Sequence, residues 1–246
     1  MMQTLRFTLL VFLSIHLAGG FAFGEDKQTI KVFIALCDNK TQGIIPVGAK
    51  IGDGEKPDAN LYWGCSDGFG LYFKKSQHWK DAETENDVSE QILRRMTLTH
   101  KSSPITLIAD AYRGSEMKKC YLDFESAAAS GDYALVAYIG HNALMDSVFA
   151  EPEEIAEHST DAIVLACVSD SYCSSRLKNL GCRPILMTKQ LMYPGAFILH
   201  DAIEAWRKGG SLSDLRSAAG KAYAKNQGIS AKAGTGIFAV LEQDGD

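Results

Sequence analysis

The sequence predicts an α/β fold: a doubly wound, mostly parallel sheet sandwiched by helices. Three observations carry this. Tyr133 to Ile139 and Ala162 to Ala166 are short, uninterrupted apolar runs rich in Val, Ile, Leu and Tyr, as expected of strands buried on both faces. Ile30 to Leu36 and Ile105 to Ala109 are similar, mostly apolar runs, and stretches with helical spacing or helix-start residues lie between successive runs. Strands alternating with helices assemble into a layered α/β sandwich.

The first element is a leader. Arg6 precedes an apolar core from Phe7 to Leu17, and Ala22-Phe23-Gly24 supplies small residues, so residues 1–24 are expected to be a signal peptide and residues 25–246 one domain. His16, Gly19 and Gly20 interrupt a run that a membrane anchor would need unbroken. The expected location is secreted or periplasmic, with no membrane association after cleavage. The whole chain carries 25 basic against 30 acidic residues, a net charge of −5, and losing Arg6 makes it more negative. That balance argues against nucleic acid as a partner.

After the first strand, Asp38 and Asn39 stand where open α/β sheets place their ligand contacts. Residues 40 to 60 form a long loop whose acids Asp53, Glu55 and Asp58 fit solvated turns better than a calcium loop. Asn60 reads as the cap of a helix from Leu61 to Trp79, weakened by Gly64, Gly68 and Gly70. Asp81 to Asp87 reads as an acidic linker, and Ile92 to Thr99 as a short strand or the end of a helix.

The strand Ile105 to Ala109 leads to Asp110 and Arg113, each a substrate contact by position or half of a mutual ion pair. A helix follows from Ser115 to Gly131. Between the two central runs, EPEEIAEHST has Pro152 and clustered glutamates suited to a helix N-terminus, so a crossover helix is expected. Ser169 to Leu180 reads as a helix whose dipole favours a thiolate at Cys167. Pro184 to Thr188 is a further strand. Helices follow at Ala196 to Lys208 and Ser213 to Lys225, the second capped by Ser211 or Ser213, and Gly234 to Val240 is a last strand or a folded-back tail. His158 and His200 fall on expected helices, in surface or core roles.

His141 lies two residues past the first central run and Cys167 at the edge of the second. If the strands are parallel neighbours, both side chains open on one edge of the sheet, about 5 Å apart by strand spacing. A thiol and an imidazole so placed suit nucleophilic attack on a carbonyl with general acid–base help.

The residues Tyr138-Ile139-Gly140-His141 and Ile163-Val164-Leu165-Ala166-Cys167-Val168-Ser169 resemble the caspase-like cysteine peptidase clan, which includes legumains, gingipains, separases and metacaspases. The resemblance covers about forty residues. It implies a caspase-like fold and a cysteine hydrolase, a thiol protease acting on peptide or protein. His141 and Cys167 match the catalytic pair, and the backbone N–H groups of Asn142 and Cys167 match the oxyanion hole. Ser169 matches the small hydroxyl residue two positions past the nucleophile and is a further substrate-binding candidate. Asn142 departs from the clan, which usually has Gly after the histidine.

Two other readings stand beside this one. A catalytically inactive binding module on the same fold is the first. A flavodoxin-like small-ligand domain is the second, disfavoured because no glycine-rich phosphate turn follows the first strand. The six cysteines, Cys37, Cys65, Cys120, Cys167, Cys173 and Cys182, are too sparse for a disulfide scaffold, and Cys173 with Cys182 is the expected bridge. Cys37 is a rival nucleophile by position. No Cys or His spacing matches a metal motif, so no metal or other cofactor is expected.

Overall fold

The computed structural model describes residues 28–241, so the expected leader lies outside the described residues. Seven strands form one mixed sheet in the order β2-β3-β4-β1-β5-β6-β7. They are β1 (Thr29–Ala35), β2 (Trp79–Asn86), β3 (Ile92–His100), β4 (Thr106–Tyr112), β5 (Leu135–Ile139), β6 (Asp161–Leu165) and β7 (Arg183–Leu186). The five strands from β4 to β7 in that order are parallel, whereas β2 and β3 form an antiparallel extension at one edge.

Helices cover both faces, which is why the central strands are apolar at most positions on both faces instead of every second one. Ile30, Val32, Ile34, Leu135, Ala137, Ile139, Ile163 and Leu165 share one core with α5 (Ala196–Trp206) and α6 (Leu212–Gln227). The alternate residues Phe33, Ala35, Val136, Tyr138, Ala162 and Val164 pack with α2 (Met117–Ser130) and α4 (Ser169–Asn179). Local signals agree with these helices. Gly131, at φ 67°, ends α2 in the left-handed conformation, and Ser211 and Asp214 form a capping box at the start of α6. Among the described residues no helix is long and apolar enough to cross a membrane.

Three expectations are corrected and one open choice is resolved. The helix over Leu61 to Trp79 shrinks to α1 (Phe69–Lys74), because turns occupy the residues around Gly64 and Gly68, and Trp79 opens β2. Beyond Gly64 a side chain would meet the backbone of Asp58 at 2.1 Å, so the chain is folded tightly back there. The acidic linker Asp81 to Asp87 is mostly β2, an edge strand anchored by buried Trp79. Charge along such an edge discourages pairing with other chains. The ambiguous Ile92 to Thr99 is strand β3.

The expected crossover helix at EPEEIAEHST is the third correction. Only α3 (Ala143–Asp146) is helical between β5 and β6, and residues 150–158 run irregularly. Ile155 is the lone large apolar residue of that segment and is partly exposed, so a helix there would have no apolar stripe to bury. The backbone bonds instead to the end of α4, Ile155 N donating to Asn179 O and His158 N to Gly181 O, both at 2.9 Å. His158 thus lies on no helix, whereas His200 is in α5. The tail folds back through α7 (Ala231–Thr235) and a single antiparallel bridge, Phe238 to Thr188.

The strand order turns around at β1, which lies between β4 and β5 although the chain visits it first. In open α/β sheets the crevice forms at the carboxyl ends of the strands beside such a reversal. The loops that follow β1, β5, β6 and β7 meet there.

Candidate active site

Ile139 of β5 is paired with Leu165 of β6, so His141 and Cys167, each two residues further on, leave the same edge of the sheet at matching positions. Gly140 makes the exit possible. Its φ of +155° is one that other residues rarely adopt, and a Cβ there would lie 3.1 Å from Ala35. His141 is then fixed at its carbonyl by the hydroxyl of buried Tyr138, at 2.8 Å.

The imidazole is backed by a carboxylate. His141 Nε2 lies 3.0 Å from Asp146 Oδ1, close enough for an ion pair although not aligned as a hydrogen bond. The other oxygen of Asp146 accepts the amide of Gly43 at 2.7 Å, so the loop after β1 positions the acid that faces the histidine. Partial burial works against ionisation of Asp146, but His141 and the Gly43 amide together hold its carboxyl below the usual value. Nε2 is thus the ring nitrogen that faces Asp146.

Asn142 turns inward. It is 1% exposed, its Nδ2 donates to Cys167 O at 2.8 Å, and its Oδ1 accepts the amide of Leu144 at 3.1 Å. The side chain that replaces the expected Gly therefore caps α3 and ties the histidine loop to the cysteine loop. Among the hydrogen bonds of the described residues, neither the Asn142 nor the Cys167 amide is a donor.

Cys167 is partly exposed and follows β6 directly into a turn. Val168, at φ 52° and ψ 33°, is left-handed, a conformation in which a β-branched residue is an outlier costing about 1–3 kcal/mol. A strained strand-to-helix turn is one way to hold a nucleophile proud of a sheet. Replacing Val168 with Gly is therefore expected to raise stability by about 1 kcal/mol, read from the urea midpoint.

The thiol itself touches the loop after β7, with Met192 N 3.5 Å and Met192 O 3.6 Å from Sγ. The first amides of α4 are engaged elsewhere: Ser169 N donates to Thr188 Oγ1 at 3.2 Å and Asp170 N to Thr188 O at 2.9 Å. The thiol therefore faces the N-terminal end of α4, which begins at Ser169 as expected, without a direct bond from these two amides.

All six thiols are free, so the expected Cys173–Cys182 bridge is absent. Burial pushes Cys37 up to about 11 and Cys173 and Cys182 up to about 12, and it raises Cys65 and Cys120 as well. Cys37 is wholly buried, which removes it as a rival nucleophile.

The remaining candidates are engaged in the framework. Asp38 accepts from Lys40 N at 3.1 Å and Thr41 Oγ1 at 2.6 Å, and Asn39 pairs both ways with the backbone of Val47. Asp110 lies inside β4, not past its end, and is 1% exposed. Its carboxylate holds Lys31 at 2.6 Å and Arg95 at 2.6 and 2.8 Å, so the anticipated pairing with Arg113 is not made. Arg113 pairs with Glu55 and donates to Glu90 O. Ser169, fully buried, donates to Val164 O at 2.8 Å and accepts from Thr188 N at 2.9 Å.

Two groups at the site carry no sequence signal of their own. Asp146 needs the tertiary fold to meet His141. Tyr62 sits near Cys37, Cys167 and Tyr193, and burial followed by these neighbours pushes its phenol far up, so it stays a neutral hydroxyl. No family model, curated protein or solved structure matches the chain.

Proposed function

We propose that the protein is a cysteine hydrolase, most simply an endopeptidase of the caspase-like kind, acting outside the cytoplasm. One observation carries the reading. A partly exposed free thiol and an imidazole backed by a carboxylate leave neighbouring parallel strands in register, at the edge where the strand order reverses. The resemblance of the two strand ends to the caspase-like clan adds to it.

In this reading Cys167 Sγ, its proton taken by His141, attacks the substrate carbonyl carbon and forms a carbon–sulfur bond. The Asn142 and Cys167 amides receive the oxyanion. The carbon–nitrogen bond then breaks, His141 gives its proton to the leaving amine, and water hydrolyses the thioester. Asp146 orients the ring and stabilises it while protonated.

The test is site-resolved alkylation with iodoacetamide at neutral pH, run beside hydrolysis of a broad fluorogenic peptide library. Cys167 is expected to label first, with activity falling in step and Cys167→Ala inert. Labelling that leaves hydrolysis untouched, or a library left uncut by protein whose Cys167 is free, would sink the proposal and favour a binding module.

A further inference from the structure

At the sheet edge away from His141 and Cys167, three metal-binding side chains converge from separate elements. His78 immediately precedes β2, His100 ends β3, and Glu204 lies in α5. One ligand atom from each lies within 4.8 Å of the others. We infer that His78, His100 and Glu204 form a binding site for a zinc-class divalent cation, fastening the β2–β3 hairpin to α5.

The buried members are incompletely satisfied. The His100 side chain is fully buried and that of Glu204 only 10% exposed, and His100 Nε2 and Glu204 Oε1 face each other at 3.2 Å without an aligned hydrogen bond to any described group. At ion-pair distance but without an aligned hydrogen bond, the two buried atoms are only partly satisfied, and a shared cation would engage both. Their separation also fits. Two ligands on a tetrahedral zinc, each about 2.0–2.2 Å from the ion, stand roughly 3.3–3.5 Å apart.

The surroundings select how each ligand binds. Arg207 holds Glu204 Oε2 at 2.6 and 2.7 Å, which leaves Oε1 to bind in monodentate fashion. His100 Nδ1 lies 2.8 Å from Ser103 Oγ, an acceptor for the N–H that ligation through Nε2 places on Nδ1. That tautomer gives up the longer 3.2 Å contact from the Ser102 amide. His78 is half exposed and has only to swing inward, so the fourth position opens to solvent. Two imidazoles and one carboxylate suit zinc, cobalt or copper, not calcium or magnesium. Motif spacing conceals the site because its ligands are far apart in the chain.

Zinc titration of the metal-free full chain by calorimetry decides the matter, with cobalt absorption reporting tetrahedral nitrogen–oxygen ligation. The expected result is one ion per chain, bound at least about tenfold more weakly by His78→Ala and by Glu204→Gln and equally well by Cys167→Ala. Zinc should also raise Tm of the native chain but not of His78→Ala. No stoichiometric binding, binding indifferent to His78→Ala, or binding lost on Cys167→Ala would each overturn the site. His78 is half exposed and outside the regular elements, so that variant decides even if Glu204→Gln fails to fold.

Discussion

Replacing His141 with Ala is expected to lower kcat by about a thousandfold, within the range that a positioned general acid–base supplies. Asp146→Asn should cost roughly a hundredfold, and the double variant little more than His141→Ala alone. The asymmetry follows from the geometry. Asp146 acts only through the ring it faces at 3.0 Å, so once His141 is gone it has nothing to orient. Asn at 146 also replaces an acceptor by an amide that can present an N–H to Nε2, which favours the wrong tautomer and removes the charge that stabilises the imidazolium.

The Gly43 contact extends the argument. Asp146 is held from behind by the loop after β1, so its orientation does not rely on the short α3 that carries it. The pH dependence has a definite sign. A carboxyl whose folded value lies below its unfolded one, about 3.9, contributes stability fully above that value and loses it as pH falls through the folded value. Asp146→Asn should therefore cost stability at neutral pH, and the gap from the native chain should close on acidification below about pH 4. Kinetics of the single and double variants, with urea melts at neutral and acid pH, check both statements.

The parts of this architecture that were legible in the sequence are those where local pattern and tertiary environment ask for the same residues. The runs in β1, β5 and β6 are largely apolar because both faces are covered, with Lys31 of β1 buried against Asp110, and α2 and α6 announce their ends through Gly131 and Ser211. The exit of His141 and Cys167 from adjacent strands belongs to this class, since strand ends mark themselves. Elsewhere the environment overrides local preference. The residues of β2 are acidic but a ladder with β3 holds them extended, and EPEEIAEHST has helix-start residues but no face to bury. Asp110 follows an apolar run in the sequence, yet it lies within β4 because its partners, 15 and 79 residues away, sit on neighbouring strands. Asp146 and the convergence of His78 with His100 and Glu204 were hidden for the same reason: their meaning lies in contacts that no sequence window spans.

Arg176→Met is expected to destabilise the fold by about 3–5 kcal/mol, a large share of the roughly 5–15 kcal/mol typical of a domain. Arg176 of α4 and Glu125 of α2 form a two-pronged pair, Nε to Oε1 at 2.7 Å and Nη2 to Oε2 at 2.9 Å, with both side chains more than nine-tenths buried. Removing the cation strands a buried carboxylate that water cannot reach. The double variant Arg176→Met with Glu125→Leu should recover most of the loss, because an apolar pair of similar volume carries no desolvation cost. Arg176 also donates to Ala150 O at 2.9 Å and stands over the ring of Phe149, so it holds the irregular crossover that takes the place of a helix. The double variant should therefore regain its urea midpoint yet be cut by protease near residues 150–158 faster than the native chain. A midpoint unmoved by Arg176→Met would mean that the pair contributes nothing net to stability, and equal protease resistance in the double variant would mean that the crossover is held by its bonds to Asn179 and Gly181 alone.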